Sequence, residues 1–414
     1  MRIGYLQLGP SEHGICRYGR LIAAEGSDRL DLTITEASVN LTKNRKTNRE
    51  MLIGAAHQLS STDIVHIQYS GKNNQSLWGN RWEQLYHLWI FKHHCPRPIV
   101  VTLHDIYEPP LSIKTGLQTI YQSFKKLNPE VNKNKDILIT GNNQSVAKTP
   151  LLTIVIDVLK RMYGANALTF FWLLNQAKLV FVCSHEEARR LQPIINNNKV
   201  KVIPHFVEKR NFTCTQSEAK AKLKLDESKI ITILGFIHGR KGYQLIVETM
   251  PQLPQNVKVV FAGGSSPGDE EFVTGLIQLA KSTGVDDRLR ITGYLSEEEL
   301  EQYLTATDLA ICPFKFFSAS GSLSTWISAA RPILAYNLPQ ITEYNSIEPG
   351  SIKTFQPYES HALAEAIKQL LLATKPNEDP TVARLREKLS ISTIFDKQLG
   401  YCRQITKKSS INYT

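Results

Sequence analysis

The sequence predicts an α/β protein built on two doubly wound parallel sheets. Short β-branched segments alternate with amphipathic helical segments along most of the 414 residues. This alternation falls into two blocks, which a polar segment at about residues 208–228 separates. Because strands that alternate with helices form parallel sheets, each block predicts one sheet that is covered by helices on both faces.

The first block predicts a domain at residues 1–207. It contains six apolar strand candidates, and most of them are followed by a segment with helical periodicity. The candidates are Arg2–Leu8, Leu30–Thr35, Asp63–Gln68, Pro98–Leu103, Lys178–Cys183 and Lys201–Ile203.

A long insertion, at about residues 111–174, separates two strands of the first block. Its middle is rich in Lys and Asn and lacks periodicity, which is typical of a loop. Its end is apolar and aromatic. Two interpretations stay open for this end: a packed helical cap, or an acceptor lid or membrane-touching element.

The second block predicts a domain at residues 208–391. Its strand candidates are Ile230–Leu234, Val257–Gly264, Asp308–Phe314 and Arg331–Ala335. Ser296 and Glu299 form the pattern of a capping box, which predicts a helix that extends to Thr305.

The segment Gly235–Met250 carries a predicted anion site. A strand ends at Gly235, and a short loop with adjacent Arg240 and Lys241 leads into a helix. Backbone N–H groups and the helix N-terminus favour an anion there, and two cations favour a diphosphate over a neutral ligand. We therefore expect this loop to bind a diphosphate; the alternative is a solvated loop.

A second turn of this kind follows the strand candidate Asp308–Phe314. Ser320, Gly321 and Ser322 stand at the start of the next helix and can offer N–H or hydroxyl donors to phosphate oxygens. Two turns that follow strands of one parallel sheet lie at its carboxyl edge, where open α/β sheets bind ligands.

Composition limits the class of protein. The apolar fraction of 42% is ordinary for a soluble protein, and the six cysteines are scattered without metal-ligand spacing. A net charge of +11 suits an anionic partner such as a nucleotide sugar or lipid head groups, and no nucleic-acid motif accompanies it. Without a signal-peptide pattern or a spanning apolar run, we expect a cytoplasmic protein, with peripheral contact to an anionic membrane as a further expectation.

The order of the motifs resembles GT-B retaining glycosyltransferases of family 4. The second block contains GFIHGRKG, VVFAGG, ITGYLSEEELEQYL, ATDLAICPF, SASGSLSTWISAARPILAY and LPQITEY, and the first block contains MRIGYLQLG, GICRYGRLIA, DIVHIQY, PIVVTLHD, AKLVFVCS and KVIPHF. The resemblance implies two Rossmann-like domains that face each other across a cleft. It also implies that a last helix, at about residues 392–414, crosses back to the first domain. Helical spacing predicts its buried face: Phe395, Leu399 and Cys402.

The resemblance also implies a reaction. Such enzymes move a sugar from a nucleotide-diphosphate sugar to a glycan, glycolipid or other hydroxyl acceptor, and they need neither a metal nor another cofactor. In retaining members the donor phosphate itself can take the acceptor proton. Arg240, Lys241 and the helix start at Ser320–Ser322 would then stabilise the leaving diphosphate. The expected context is the assembly of a cell-surface polysaccharide or another glycoconjugate.

The resemblance assigns roles to further positions. His104, which follows the strand VVTL, would touch the donor sugar near the anomeric centre and act in catalysis. Further donor-binding positions are Gly14, Gly239, Gly263, Tyr294 and Ser318, and candidates for the acceptor side are Arg17, His66 and Tyr69.

The sequence departs from the family pattern in one place. Most members carry two glutamates that bracket the Gly-rich turn, where this chain has Ser318 and Thr325 or Trp326. We interpret the departure as a variant donor site. Two alternatives stay open: a non-catalytic GT-B homologue that binds nucleotide sugars or assists a partner enzyme, and a nucleotide-sugar epimerase or hydrolase on the same fold.

Overall fold

A computed structural model describes residues 1–10, 13–70, 77–104, 106, 111–127, 151–208, 210, 212–225, 228–315, 320–373 and 378–411. The chain divides into two units. The first unit comprises Met1–Cys183, Glu187–Ile203 and Gln398–Thr414, and the second comprises Ser184–Glu186 and Pro204–Lys397.

The first unit is built on a sheet in which the described residues form six parallel strands. These are β1 (Arg2–Leu8), β2 (Thr33–Val39), β3 (Ile64–Tyr69), β4 (Ile99–Leu103), β5 (Ala177–Val182) and β6 (Val200–Val202). Their order is β2-β1-β3-β4-β5-β6, so the strand order reverses between β1 and β3. Strands β3 and β4 are buried on both faces, which explains their uninterrupted apolar character.

Helices connect these strands and cover the sheet. They are α1 (Gly14–Ser27), α2 (Arg45–Leu59), α3 (Arg81–His94), α4 (Ile113–Leu127), α5 (Leu151–Tyr163), α6 (Ala165–Gln176) and α7 (His185–Leu191). The core includes Leu52, Val65, Phe91, Val101 and Leu173. The predicted insertion therefore contributes three helices, α4 to α6, and α6 packs against α3. Its Lys- and Asn-rich middle lies outside the described residues.

The second unit is built on another sheet in which the described residues form six parallel strands. These are β7 (Lys229–Leu234), β8 (Val257–Ala262), β9 (Leu289–Ile291), β10 (Leu309–Cys312), β11 (Ile333–Tyr336) and β12 (Ile352–Phe355). Their order is β12-β11-β10-β7-β8-β9, so the order reverses between β7 and β10. An open parallel sheet leaves a crevice beyond its carboxyl edge at such a reversal.

The helices of this unit are α8 (Gln216–Lys222), α9 (Tyr243–Thr249), α10 (Glu270–Ser282), α11 (Glu297–Ala306), α12 (Gly321–Ser328), α13 (Pro339–Ile347), α14 (Ser360–Ala373) and α15 (Pro380–Lys388). The predicted capping box is confirmed, because the Ser296 side chain accepts the Glu299 N–H and the Glu299 carboxylate accepts the Ser296 N–H. Helix α8 lies inside the polar segment 208–228, where its buried Ala219 packs on the core.

The last helix, α16 (Ile391–Ile411), contributes residues to both units, because the first unit includes the chain from Gln398 onward. The predicted inward face is confirmed: Phe395, Leu399 and Cys402 are buried. Within the first unit, Gln398 Nε2 donates to Tyr18 Oη at 3.3 Å. Among the described helices, none combines the length and the apolar character that crossing a membrane requires.

Candidate functional site

The strand-order reversal of the second sheet brings two loops together. Strand β7 pairs with β10 on one side and with β8 on the other. The loops that follow β7 and β10 therefore leave the same edge of the sheet next to each other. These are the two loops for which the sequence predicts phosphate binding. The strand order of the sheet alone is enough to make them adjacent.

The loop after β7 is held against the end of β8. Gly235 donates its N–H to the Ala262 carbonyl at 2.9 Å, and Ile237 donates to the Gly264 carbonyl at 2.8 Å. A Cβ atom at Gly263 would collide with the carbonyl oxygen of Gly235. A glycine is needed at position 263 because only glycine allows the backbone there to lie this close to the backbone of Gly235.

A short turn at Gly239–Lys241 positions the basic pair. The His238 side chain accepts the Arg240 N–H at 3.3 Å, and the His238 carbonyl accepts the Lys241 N–H at 3.2 Å. Arg240 and Gly239 are exposed, whereas Lys241 is half-buried. The turn thus directs one cation outward and the other back toward the sheet.

The Lys241 ammonium lies where the two loops meet. Its Nζ donates to Ser322 Oγ at 3.3 Å and to the Leu234 carbonyl at 3.4 Å, and it lies 5.7 Å from the centroid of the Phe314 ring. Burial raises the pKa of the Cys312 thiol to about 12, and the positive charge of Lys241 opposes that rise. The positive charge of Lys241 therefore lies close to the carboxyl end of β10.

The other side of the site is the start of α12. Ser320 caps this helix by accepting the Leu323 N–H at 3.2 Å, and Gly321 and Ser322 form the first turn. The first N–H groups of a helix have no intrahelical acceptor, and the helix dipole favours an anion at this end. The predicted residue Ser318 lies outside the described residues.

Two tyrosine hydroxyls donate hydrogen bonds to carbonyl groups of these loops. Neither tyrosine was predicted from the sequence to have this role. Tyr243 donates to the Gly235 carbonyl at 2.6 Å, and Tyr358 donates to the Pro313 carbonyl at 3.0 Å. Burial raises the pKa of Tyr243 well above its ordinary value and raises that of Tyr358 to about 12. Both hydroxyls therefore stay protonated donors at neutral pH.

Tyr294 lies at the same edge, in the loop after β9. The Thr292 side chain in this loop accepts the Gly263 N–H at 3.0 Å, which ties the loop to the end of β8. The Tyr294 side chain is 85% exposed. An exposed aromatic ring beside a proposed diphosphate site offers a flat surface for a base or a sugar.

In the first unit, His104 follows β4 at the carboxyl edge of its sheet. Its ring Nε2 lies 2.8 Å from Gln68 Oε1, and the backbone N–H of His104 donates to the Tyr69 carbonyl at 3.0 Å. The Tyr18 ring packs edge-on against the His104 ring, with centroids 4.9 Å apart. His104 is thus a buried side chain in a fixed orientation.

The other first-unit candidates divide into two groups. Gly14 begins α1 and is exposed, and Arg17 is exposed one turn later. His66 bonds Thr102 Oγ1 at 2.8 Å, and Tyr69 donates to a glutamine carbonyl oxygen at 3.1 Å. Both of these side chains are buried, because β3 is covered on both faces. Burial also lowers the pKa of His66 to about 3.

Comparison with known proteins bears on the second unit most directly. Residues 215–387 match the family model of glycosyl transferases group 1. This segment begins at the cap of α8 and includes both loops of the candidate site. The match therefore covers the residues that bring Lys241 and Ser322 together.

Curated glycosyltransferases match parts of the chain. The alpha-D-kanosaminyltransferase of Streptomyces kanamyceticus is 24% identical over 204 residues, which is 46% of this chain and 49% of that enzyme. The D-inositol 3-phosphate glycosyltransferase of Xylanimonas cellulosilytica is 29% identical over 124 residues, which is 28% of this chain and 30% of that enzyme. The chain thus spans about half or less of the length of these relatives.

Solved structures match nearly the whole chain. Anabaena Alr3699/HepE, crystallised in complex with UDP and glucose, has a TM-score of 0.63 at 16% identity, covering 98% of this chain and 100% of that chain. WaaG, a glycosyltransferase involved in lipopolysaccharide biosynthesis, has a TM-score of 0.58 at 14% identity, covering 96% and 98%. The predicted GT-B fold is confirmed.

Proposed function

We propose that this GT-B protein is a retaining glycosyltransferase of family 4. In this proposal, the domain at residues 208–391 binds a nucleotide-diphosphate sugar, and the sugar moves to a glycan, glycolipid or other hydroxyl acceptor. The observation that carries the proposal is the hydrogen bond between Lys241 and Ser322, which places an ammonium group beside a helix start at the strand-order reversal. The match of residues 215–387 to glycosyl transferases group 1 supports it.

The proposed site suits a leaving diphosphate. The Lys241 ammonium, the exposed Arg240 and the first turn of α12 offer positive charge and N–H donors from two sides. Negative charge grows on the diphosphate as the bond to the sugar breaks, and donors that are already in place stabilise that charge. A solved structure with UDP and glucose, that of Alr3699/HepE, shares the fold.

The proposed reaction needs no carboxylate base and no metal. In a retaining transfer on the leaving-group face, the glycosidic bond to the diphosphate breaks and the acceptor oxygen bonds the same carbon. The donor phosphate oxygen then receives the acceptor proton. Ser318 and Thr325 or Trp326 stand where most family members have the two glutamates, and we interpret this difference as a variant donor site.

His104 is proposed to position the donor sugar. Its bond to Gln68 and its packing against Tyr18 fix the ring orientation, and a group whose orientation is fixed can hold a bound sugar in one position. Gly14 and Arg17 are proposed contacts of the diphosphate and of an anionic acceptor, and the buried His66 and Tyr69 stay predictions for the acceptor side.

A second candidate function is a non-catalytic GT-B homologue that binds a nucleotide sugar. The missing glutamate pair favours this candidate, because Thr325 uses its hydroxyl to bond the Gly321 carbonyl at 2.9 Å and offers no carboxylate to a donor. Both candidates require nucleotide binding, and only the first requires transfer.

A thermal-shift titration tests the proposal. Purified protein is heated with UDP, GDP, ADP and their sugar conjugates in EDTA, since a ligand that binds the native state raises the melting temperature. We expect a shift with one nucleotide, and we expect the Arg240→Ala/Lys241→Ala variant to lose it. Lys281→Ala/Lys353→Ala removes two exposed lysines of the same unit and should keep it. No shift with any nucleotide would contradict the proposed site.

Release of free nucleotide then separates the two candidate functions. With the nucleotide sugar that binds, transfer to an added hydroxyl acceptor produces one nucleoside diphosphate for each sugar moved. Binding without any transfer to a panel of glycan and glycolipid acceptors would favour the non-catalytic homologue.

A further inference from the structure

Three buried polar side chains lie close together at the carboxyl edge of the first sheet. Gln7 of β1 is fully buried, and Gln68 of β3 and His104, which follows β4, are 4% and 5% exposed. A buried amide costs free energy unless its polar atoms have partners, so glutamines inside a sheet need an explanation. Of the three residues, the proposed function gives a role in transfer to His104 alone.

The pairing of β3 with β4 explains how Gln68 reaches His104. The register places Gln68 opposite Thr102, and His104 follows two residues later on the same face of the sheet. Side chains lean along a strand, so Gln68 can bond diagonally. The same diagonal occurs one step earlier, where His66 Nε2 lies 2.8 Å from Thr102 Oγ1. The contact between Gln68 and His104 therefore follows from the strand register.

The bond between these two residues determines which ring nitrogen of His104 carries the hydrogen. Its atoms, His104 Nε2 and Gln68 Oε1, lie 2.8 Å apart. A carboxamide oxygen can only accept, so Nε2 is the donor, and a neutral ring then has Nδ1 as its acceptor atom. Gln68 thus selects one tautomer of the imidazole.

Gln68 is itself held in place by Gly19 and Gln7. A Cβ atom at Gly19 of α1 would collide with Gln7 Oε1 and lie 2.9 Å from Gln68 Cγ, so the two glutamines fill the space that the glycine leaves. Gln7 Nε2 donates to Glu36 Oε2 at 3.1 Å, which anchors Gln7. Gln68 Nε2 has no hydrogen-bond partner among the described residues. Within that part of the chain, the amide of Gln68 therefore bonds His104 through its oxygen alone.

We propose that Gln68 is a positioning residue for sugar transfer, which acts by selecting the tautomer of His104. The inference rests on the proposed function, in which His104 holds the donor sugar. A ring whose hydrogen moves between its two nitrogens would offer the sugar a donor in some molecules and an acceptor in others. Gln68 limits the ring to one arrangement before the substrate arrives, and groups that are already arranged stabilise a transition state best. Gln68 should therefore affect transfer more than binding.

Variants of similar size separate positioning from packing. Gln68→Met removes the acceptor, whereas Gln68→Glu keeps an acceptor oxygen and changes only the nitrogen that lacks a partner among the described residues. Gln68→Met is also combined with His104→Ala, and Gln58→Met, on the exposed side of α2, is the matched control. Release of nucleoside diphosphate measures kcat, titration with the nucleotide sugar measures Kd, and ¹⁵N spectra of histidine-labelled protein detect the ring N–H group of His104.

We expect Gln68→Met to lower kcat about tenfold, the effect of one lost hydrogen bond, while Kd stays within about threefold of wild type. Gln68→Glu should keep kcat within about threefold, because its oxygen still accepts from the ring. In the His104→Ala background, Gln68→Met should cost less than about twofold more. The wild-type signal should come from Nε2–H and should move upfield in Gln68→Met. An unchanged melting temperature shows that the fold of each variant is intact.

Three results would overturn the inference: a wild-type kcat in Gln68→Met, a full additional loss in the His104→Ala background, or a wild-type ring hydrogen on Nδ1. Equal losses in Gln68→Met and Gln68→Glu would do so too, and if Gln68→Glu does not fold, the double variant decides. A wild-type protein that transfers no sugar would contradict the proposed function, and this inference with it. Additive losses in a protein that does transfer sugar would contradict this inference alone.

Discussion

Lys241 and Ser322 are 81 residues apart in the chain, yet the Lys241 ammonium donates to the Ser322 hydroxyl at 3.3 Å. The bond joins the loop after β7 to the first turn of α12, and thus the two sides of the proposed diphosphate site. A ligand diphosphate is a stronger acceptor than a hydroxyl, so it can recruit the same ammonium group.

Replacing Lys241 by Met should weaken nucleotide binding and leave the fold intact. The charge-assisted bond to phosphate is lost, which we expect to raise the Kd between about 10-fold and about 150-fold, equivalent to about 1.5–3 kcal/mol. Isothermal titration with the nucleotide that shifts the melting temperature measures the effect. Lys281→Met, on the exposed side of α10, is the control, and equal Kd values for the two variants would contradict the role of Lys241.

Gly263→Ala should damage both stability and nucleotide binding. The new Cβ would collide with the Gly235 carbonyl and push the β7 loop from its place. We expect a loss of about 1–3 kcal/mol in the free energy of unfolding, in the range of overpacking. Gly275→Ala is the control, since open space surrounds that position in α10 and alanine favours a helix. Urea unfolding of the two variants measures the difference, and equal unfolding midpoints would disprove the predicted collision.

His104→Ala should reduce transfer while donor binding stays within about threefold of wild type. The removed ring is proposed to hold the sugar in the transition state, for which we expect a loss of about 100-fold in kcat. Steady-state release of nucleoside diphosphate measures kcat, and titration measures binding. Tyr5→Phe, which removes a buried hydroxyl of the same sheet, is the control. An unchanged kcat in the alanine variant would exclude His104 from catalysis.

The unfolding free energy should fall as the pH drops from about 6.5 toward 3. Burial lowers the pKa of His66 to about 3 in the folded chain, and the unfolded value is near 6.5. The neutral ring therefore stabilises the fold above pH 6.5, and that contribution is lost as the pH falls through this window. We expect His66→Gln to reduce the slope of the unfolding free energy against pH by up to about 1.4 kcal/mol per pH unit. Urea unfolding from pH 7 to 4 checks this, with the exposed His57→Gln as control; identical slopes would refute it.

Transfer activity should survive removal of divalent cations. The proposed diphosphate clamp consists of Lys241, Arg240 and the α12 start, which supply positive charge without a metal. Treatment with EDTA should therefore change kcat by less than about twofold. Magnesium chloride added back is the control for the chelator itself. A loss that magnesium restores would show that a cation takes part.

The sequence predicted the doubly buried strands β3 and β4 better than the edge strand β2, for a physical reason. Central strands such as β3 and β4 are buried on both faces and appear as continuous apolar runs, so their bounds were predicted within one residue. Strand β2 lies at the sheet edge and mixes exposed with buried residues, and the prediction Leu30–Thr35 overlaps its range, Thr33–Val39, only at residues 33–35. The predicted strand began at the apolar residue Leu30, which is fully exposed in the structure.

The loops of the candidate site were predictable, but the residues that support them were not. Topology places the turns after β7 and β10 together, and the sequence shows Gly and basic residues in the first turn and Gly and Ser in the second. The bond from Tyr358 to the Pro313 carbonyl spans 45 residues and depends on packed side chains. Likewise, the burial of His66 follows from helices on both faces of its strand, which periodicity does not reveal.

The membership of residues 398–411 in the first unit has a consequence for biosynthesis. Gln398 and Tyr401 contact Tyr18 and Phe181, so the first core gains partners that are translated only after the whole second sheet. Domains generally fold as they emerge, N-terminal first. Here the unit that is translated first has to wait for residues 398–411 before its packing is complete, and a translation product that stops before Gln398 would expose the surface that these residues cover.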